Sequence, residues 1–551
     1  MQSLLDPRFY YLSNFHQALR WLQQRYGDLL DDTELGFIEQ FLAMDTQSQA
    51  ILVRMIMRKG THFRLEKLSY AEISCSLTAT RPLIEAGWVK QDAELTLDEL
   101  FKLLRKDEIC QHLAQSGANP LPLKKSMGKT QLLELLTDEH AQPREFAGWC
   151  PTSDEQILSL TIDPLCQRLR LMFFGNLRQD WSEFVLAELG IFRYEQVPFT
   201  ADSRAFRSRA DVDCYLKLQD CREQFEAGEP IDQVLAHISA LICDSTFLTA
   251  RRNKLLFRMG QQLEREAQLE QALAFYADCR YLGARLRQIR VLERLGQHEH
   301  AYELTRQAVE APESDAEAQA VERAMTRLSR QLGQPQPSKA KPKAPSRIDL
   351  ILPKPEGESV EFAVAQHLSH SDGPVHYVEN SLICSLFGLL CWQAIFAPVP
   401  GAFFHPFHTG PVDLFGSDFY PQRQALFAHS LDQLESCAYK DLIRQNYTDK
   451  FGIQSPFVFW GALDQTLLEH ALECLPAAHL LAWFKRLLLD IKANRAGMPD
   501  LIQFWPAQRR YRMIEVKGPG DRLQDNQRRW LAFCAENGMP VDVCYVQWAD
   551  A

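Results

Sequence analysis

The chain has 551 residues, 46% of them hydrophobic and 24% charged, with a formal net charge of −11. That is the balance of a globular protein of about three to five domains, not of a collagen-like, disordered or all-membrane chain. The longest apolar run, Leu382 to Phe396, is broken by Ser385, Gly388 and Gln393; it is shorter than the roughly 20 residues a bilayer helix needs, so no membrane partner is expected. Met1 to Arg20 carries Asp6, Arg8, His16 and Arg20 among its apolar residues and lacks the pattern of a secretory signal. The 14 cysteines include no CxxC pair, so they read as reduced, mostly buried thiols without structural zinc. An acidic total argues against a basic coat but leaves room for a local basic groove.

In chain order, the first candidate surface lies between 51 and 67, where Arg54, Arg58, Lys59, Arg64 and Lys67 face one acid, Glu66. Arg54 and Arg58 are expected on one helix face, either as a duplex-binding stripe or as a solvated face. Thr96-Leu-Asp-Glu99 reads as a capping box opening a helix through Arg105. A second helical pattern follows, then KKSMGKTQLLELL. Helix, turn and a basic glycine turn feeding a leucine helix resemble the SAP module, a small DNA-binding unit in which Lys124, Lys125 and Lys129 would meet phosphates; a solvated basic turn is the alternative. Gly128-Lys129-Thr130 imitates the end of a phosphate-binding loop, but Leu123 stands where a glycine is required and no strand precedes it, so no nucleotide cofactor is expected.

Further on, LEREAQLEQALAFY and LERLGQHEHAYELT match at an offset that pairs Leu263 with Leu292, Gln268 with Gln297 and Ala272 with Ala301. Small alanines at a helical-hairpin period suggest units resembling tetratricopeptide repeats, with chance similarity between ordinary hairpins as the alternative. Arg251 and Arg252 at the mouth of this region form a second basic candidate. The stretch GQPQPSKAKPKAPS, with four prolines, three lysines and no large apolar residue, is a linker. It divides a mainly α front from a mixed back.

The chemistry-bearing segment is in the back: Gly497-Met-Pro-Asp500, two β-type runs around a polar turn, and Glu515-Val-Lys517. These runs read as an antiparallel hairpin. With a turn centred near Gln508, Asp500 falls opposite Val516, while Glu515 and Lys517 share a strand face. Two carboxylates and an ammonium on one spot suit a metal-dependent phosphodiesterase. Asp500 and Glu515 would be hard oxygen ligands for Mg²⁺ or Mn²⁺, with the Val516 carbonyl a third. Lys517 would orient or deprotonate a water and offset transition-state charge. From Ile491 to Trp530 nine Lys/Arg stand against four Asp/Glu, a local basic excess that a phosphate polyanion requires. Arg522 and Arg529 are the candidate backbone contacts near the cut. His405 and His408 read as incidental loop imidazoles.

The spacing P-D, then E-V-K, is the PD-(D/E)xK signature, and the longer string GMPDL…IEVKGPGDRLQDNQ resembles the VRR-NUC nuclease domain. Together with the SAP-like unit and the repeat-like helices, the chain resembles the Fanconi anaemia-associated nuclease family in a compact, bacterial form. The resemblance implies a multidomain fold, with a mainly α N-terminal half followed by an α/β restriction-endonuclease-like nuclease domain. The expected borders are 1–90 (helical, DNA-binding), 91–140 (SAP-like), 141–332 (repeat-bearing), 333–347 (linker) and 348–551 (nuclease). It also implies a structure-selective DNA endo- and exonuclease acting on branched or 5′-flap DNA in crosslink repair, located in the cytoplasm (nucleoid) of a bacterium or the nucleus of a eukaryote. Carried over by residue, Asp500, Glu515 and Lys517 take the core positions and Gln527 the glutamine of the following helix. Glu379 takes a fourth acidic position near the start of an earlier helix, aimed along a side that is otherwise buried. A non-catalytic DNA adaptor, or a restriction or RNA-processing nuclease, are the competing readings.

Overall fold

A computed structural model describes residues 7–115, 127–137, 140, 142–181, 192–335 and 345–549. Lys124, Lys125 and most of the linker lie outside them. The chain divides into two compact units, one within 1–191 and 206–212, the other within 192–205 and 213–551.

The first unit opens with helices Tyr10–Tyr26, Asp32–Ala43 and Thr46–Ile56. Asp31 caps the second in a capping box with Glu34, and Asp45 caps the third through the amides of Gln47 and Ser48, satisfying donors that a helix start leaves orphaned. The third helix stops at Ile56, two residues before Arg58, yet Arg54 and Arg58 still face one side, both lying over the Tyr70 ring. Strands β1 (His62–Arg64), β2 (Val89–Gln91) and β3 (Ile157–Leu160) make a sheet in the order β1-β3-β2. Every residue of β3 is buried, as a central strand requires, and it comes from beyond the SAP-like segment. The expected borders at 90 and 141 therefore cut through one sheet. Between them, Thr96 and Glu99 form the expected capping box, opening helix Leu97–Leu103; that helix ends two residues short of Arg105. Leu100, Phe101, Leu132, Leu136 and Trp149 share its core.

In the second unit, α1 (Thr246–Arg265), α2 (Leu269–Ala277), α3 (Ala284–Arg294), α4 (His298–Glu310) and α5 (Asp315–Gln331) pack each on the next. Gln268 and Gln297 are both N-caps, with φ −82°, ψ 65° and φ −83°, ψ 60°. Ala272 and Ala301 are both fully buried where helices approach. The offset seen in the sequence is thus a repeated hairpin geometry.

The nuclease-like part holds a five-stranded mixed sheet, ordered β4 (Ser346–Leu352), β8 (Val541–Trp548), β7 (Arg510–Lys517), β6 (Leu501–Trp505) and β5 (Val375–Tyr377). Strand β4 begins at Ser346, inside the stretch expected as linker, because its backbone pairs in parallel with β8. The sheet is packed on both faces. Leu501, Ile514 and Val516 meet Val364 of α6 (Val360–Leu368) on one side. Ile502, Phe504, Tyr511 and Met513 join the larger core on the other, which includes the wholly buried α7 (Leu382–Leu390). The connection between β6 and β7 is four residues, ending at Arg509 in the left-handed region. Leu501 then pairs with Ile514, so Asp500 falls opposite Glu515 and not Val516: the turn is centred half a residue earlier than expected.

Candidate active site

The site lies where β6 begins and β7 ends. Because strand side chains alternate, Asp500 joins Ile502 and Phe504, and Glu515 and Lys517 join Met513, on the same side of the sheet. Asp500 and Lys517 are each 7% exposed and Glu515 is 0% exposed. Asp500 Oδ2 accepts a hydrogen bond from the Val516 amide at 2.8 Å, which ties the first carboxylate to the strand bearing the second. Lys517 Nζ ion-pairs with Glu515 Oε1 at 2.7 Å, while Glu515 Oε2 has no hydrogen-bond partner among the described residues. A fully buried carboxylate with one oxygen unpartnered is costly unless a further cation or donor meets that oxygen.

Burial pushes Asp500 up to about 6, against the opposing pull of the Val516 amide and Lys517. Burial, then the Asp500 charge, pushes Glu515 up to about 7. The charge of Glu379 acts on both in the same direction. These residues fit a hard divalent cation: it would meet Glu515 Oε2, which lacks a partner, and relieve the repulsion between the acids. Among the described residues, no three acidic, histidine or cysteine side chains close into a cage by themselves, so a backbone oxygen or water would have to share the coordination.

Glu379 is exposed and precedes α7 by three residues, with its Oε1 accepting from Asn380 Nδ2 at 3.1 Å and its Oε2 from the Tyr377 hydroxyl. The expectation that it points along a buried side is corrected, because α7 starts only at Leu382 and leaves Glu379 in the turn before it. Gln527 Oε1 accepts from the Gln524 amide at 2.9 Å, capping helix α8 (Asp525–Glu536). Its side chain thus has a structural task at the start of that helix. Gly497, three residues before Asp500, has φ +89°, and a Cβ there would lie 2.7 Å from Asn526 Nδ2; only glycine lets α8 sit this close to the entry of β6.

The basic candidates separate by environment. Arg54 donates to Glu72 Oε1 at 3.0 Å and lies over Tyr11 and Tyr70. Arg251 lies 3.8 Å over Tyr215 and donates to Gln219. Lys129 donates to the Leu104 carbonyl at 2.7 Å, and Arg529 to Gln319 on α5 at 2.7 Å. Arg252 is half-buried with its Nε enclosed. Arg58, Lys59 and Arg522 are exposed, Arg58 also donating to the Lys67 carbonyl at 3.1 Å and lying over Tyr70. His405 and His408 stack with ring centroids 3.9 Å apart, and burial holds His408 down to about 4; both lie in the irregular segment after Phe396, loop residues as expected, with His405 buried and His408 half-buried.

Sequence reasoning missed three residues here. Tyr377 and Asn380 bond Glu379, and the Glu361 charge in the first turn of α6 is felt by Asp500. The pattern Ser359-Val-Glu361, a capped helix start with an acid, was the available signal for Glu361. Tyr377 and Asn380 lie two and one residues from Glu379, but that Asn380 also accepts from the distant Met498 amide is written in no local pattern.

Comparison with known proteins follows the same architecture. The VRR-NUC domain matches residues 435–548, the HTH domain of FAN1 residues 9–90, and the Fanconi anemia-associated nuclease SAP domain residues 94–149. The chain is 54% identical over 549 residues to a Fanconi-associated nuclease 1 homolog of Pseudomonas aeruginosa, covering 99% of this chain and 97% of that one. It is 23% identical to Fanconi-associated nuclease 1 of Homo sapiens, over 98% of this chain and 62% of the human one. A crystal structure of paFAN1 bound to 2nt 5′ flap DNA with a gap superposes with a TM-score of 0.89 at 54% identity, covering 99% of each chain.

Proposed function

The chain belongs to the Fanconi-associated nuclease family, whose nucleases depend on a divalent metal, and from that premise we propose that it cuts phosphodiester bonds beside 5′ flaps or branched junctions. Flap DNA bound to the similar crystal structure supports this substrate class. The reading rests above all on the buried Asp500 and Glu515 pair, with Glu515 Oε2 unpartnered, beside Lys517.

Asp500, Glu515, Glu379 and the Val516 carbonyl would hold Mg²⁺ or Mn²⁺, which supplies Lewis acidity and a bound water of lowered pKa. The protein's own residues do the remaining work. The Val516 amide holds one oxygen of Asp500 and leaves the other for the ion. Lys517 orients or deprotonates a water and offsets charge on the phosphate. Gln527 keeps the start of α8 in place. The segments 1–90, 91–140 and 141–332 clasp the branched duplex, and the exposed Arg58, Lys59 and Arg522, with Lys124 and Lys125, make the phosphate contacts. Arg54, Lys129, Arg251, Arg252 and Arg529 contribute through the frame they brace.

A labelled 5′-flap duplex incubated with Mn²⁺ or with EDTA tests the proposal, alongside plain duplex, single-stranded and RNA substrates. Cutting is expected only with metal and most on the flap. Asp500→Ala should abolish cutting and keep flap binding in a gel-shift assay. Normal cutting by that variant would overturn the site. Equal cutting of RNA or plain duplex would favour the RNA-processing or restriction reading.

A further inference from the structure

We propose that Asn380 is a positioning residue of the nuclease site: its single carboxamide aligns Glu379 with the strand that carries Asp500. The inference rests on the reading of Glu379 as an ion ligand.

Glu379 is exposed, so packing does not hold its side chain; only polar contacts restrict its rotamers. Two donors do so, one per oxygen. Asn380 Nδ2 donates to Oε1 at 3.1 Å, and the Tyr377 hydroxyl donates to Oε2. The other end of the Asn380 amide, Oδ1, accepts from the Met498 amide at 3.1 Å. Met498 is two residues before Asp500. A backbone N–H can only donate, so this bond fixes which end of the amide is oxygen and leaves the NH₂ facing Glu379. A third bond closes the arrangement: the Val378 amide donates to the Asp500 carbonyl at 2.8 Å.

The backbone at Asn380 is equally specific. Its φ of +53° lies in the left-handed region, which Asn enters more readily than most side chains. That conformation turns the chain from β5 toward α7 and lets adjacent residues face the site with different roles: Glu379 as the acid, Asn380 as the brace. Glycine would keep the turn but drop both side-chain bonds. Aspartate would keep the acceptor for Met498 but place a second carboxylate against Glu379.

The test compares Asn380→Gly, Asn380→Asp, Tyr377→Phe and Glu379→Gln in the full chain. Mn²⁺ affinity is measured by calorimetry, metal-free melting temperature by scanning, and kcat and KM on a 5′ flap. Partners of a ligand typically cost 10- to 100-fold in metal affinity when removed. Asn380→Gly should therefore weaken Mn²⁺ binding by about 10-fold, lower kcat at limiting Mn²⁺ with KM for DNA unchanged, and recover at saturating Mn²⁺. Asn380→Asp should bind Mn²⁺ more weakly still, and Tyr377→Phe should move in the same direction without touching the backbone turn. Wild-type Mn²⁺ affinity in Asn380→Gly and Tyr377→Phe, with Glu379→Gln weakened, would overturn the positioning role alone. Wild-type affinity in Glu379→Gln would overturn the ligand reading on which it stands. A lowered melting temperature with unaltered ion affinity would make Asn380 purely structural and also refute the proposal.

Discussion

The buried acid pair makes ion binding and folding stability depend on pH in opposite directions. Asp500 rises from 3.8 to about 6 and Glu515 from 4.5 to about 7. Both folded values lie above the unfolded ones, so the fold favours the neutral acids. Their contribution to stability is complete below about pH 4 and is lost as pH climbs through 6 and 7. At 1.36 kcal/mol per unit, the two shifts amount to roughly 6 kcal/mol that the metal-free protein no longer has at pH 8. A divalent ion must displace those protons to bind. At pH 5.5 the doubly ionised pair is about 100-fold rarer than at pH 7.5, so Mn²⁺ affinity should fall about 100-fold between them. Calorimetric titrations at both pH values, in buffers of different ionisation enthalpy, measure affinity and proton release together. The metal-free melting temperature should fall from pH 5.5 to 8, and the Mn²⁺-induced rise should grow over the same interval. An affinity independent of pH, with no protons released, would refute the assignment of Asp500 and Glu515 as ion ligands.

Lys517→Ala should reduce flap cleavage by about 10²- to 10⁴-fold, as expected for loss of a general acid–base or charge-stabilising group, while Mn²⁺ still binds; single-turnover cleavage with parallel calorimetry checks both halves. Gly497→Ala should destabilise the protein by about 1–3 kcal/mol, because the added Cβ meets Asn526 in a left-handed backbone conformation; a urea melt reads this, and an unchanged midpoint contradicts it. Arg54→Ala should lower stability through loss of the Glu72 pair and the tyrosine stack, with the salt dependence of DNA binding retained. Lys59→Ala should leave stability alone and reduce the salt slope by about 1. Binding isotherms at several salt concentrations distinguish these two outcomes.

Local chemistry carried the sequence reading a long way. Asp500, Glu515 and Lys517 were legible because a period-two strand pattern forces 515 and 517 onto one face, and a short hairpin brings 500 back to meet them. The Thr96 capping box and the paired Gln268 and Gln297 caps were equally local, each written within a few residues. The register of Asp500 was not, since it depends on whether a four-residue turn ends in a left-handed Arg509. Arg54 illustrates a wider limit: a run of charges marks where arginines are but not which of them already have partners. Its partners, Tyr11 and Glu72, come from separate segments.

The sequence by itself determined the candidate site groups, the helical front and the proline-rich division, because each follows from side-chain type and short-range geometry. Only the tertiary structure decided how those groups are braced. Strand β3 completes a sheet begun almost 100 residues earlier, β4 enters the nuclease sheet from the linker, and Asn380 links Glu379 to the approach to Asp500. Such contacts join positions whose proximity is set by the packing of the whole chain, and no local pattern encodes them.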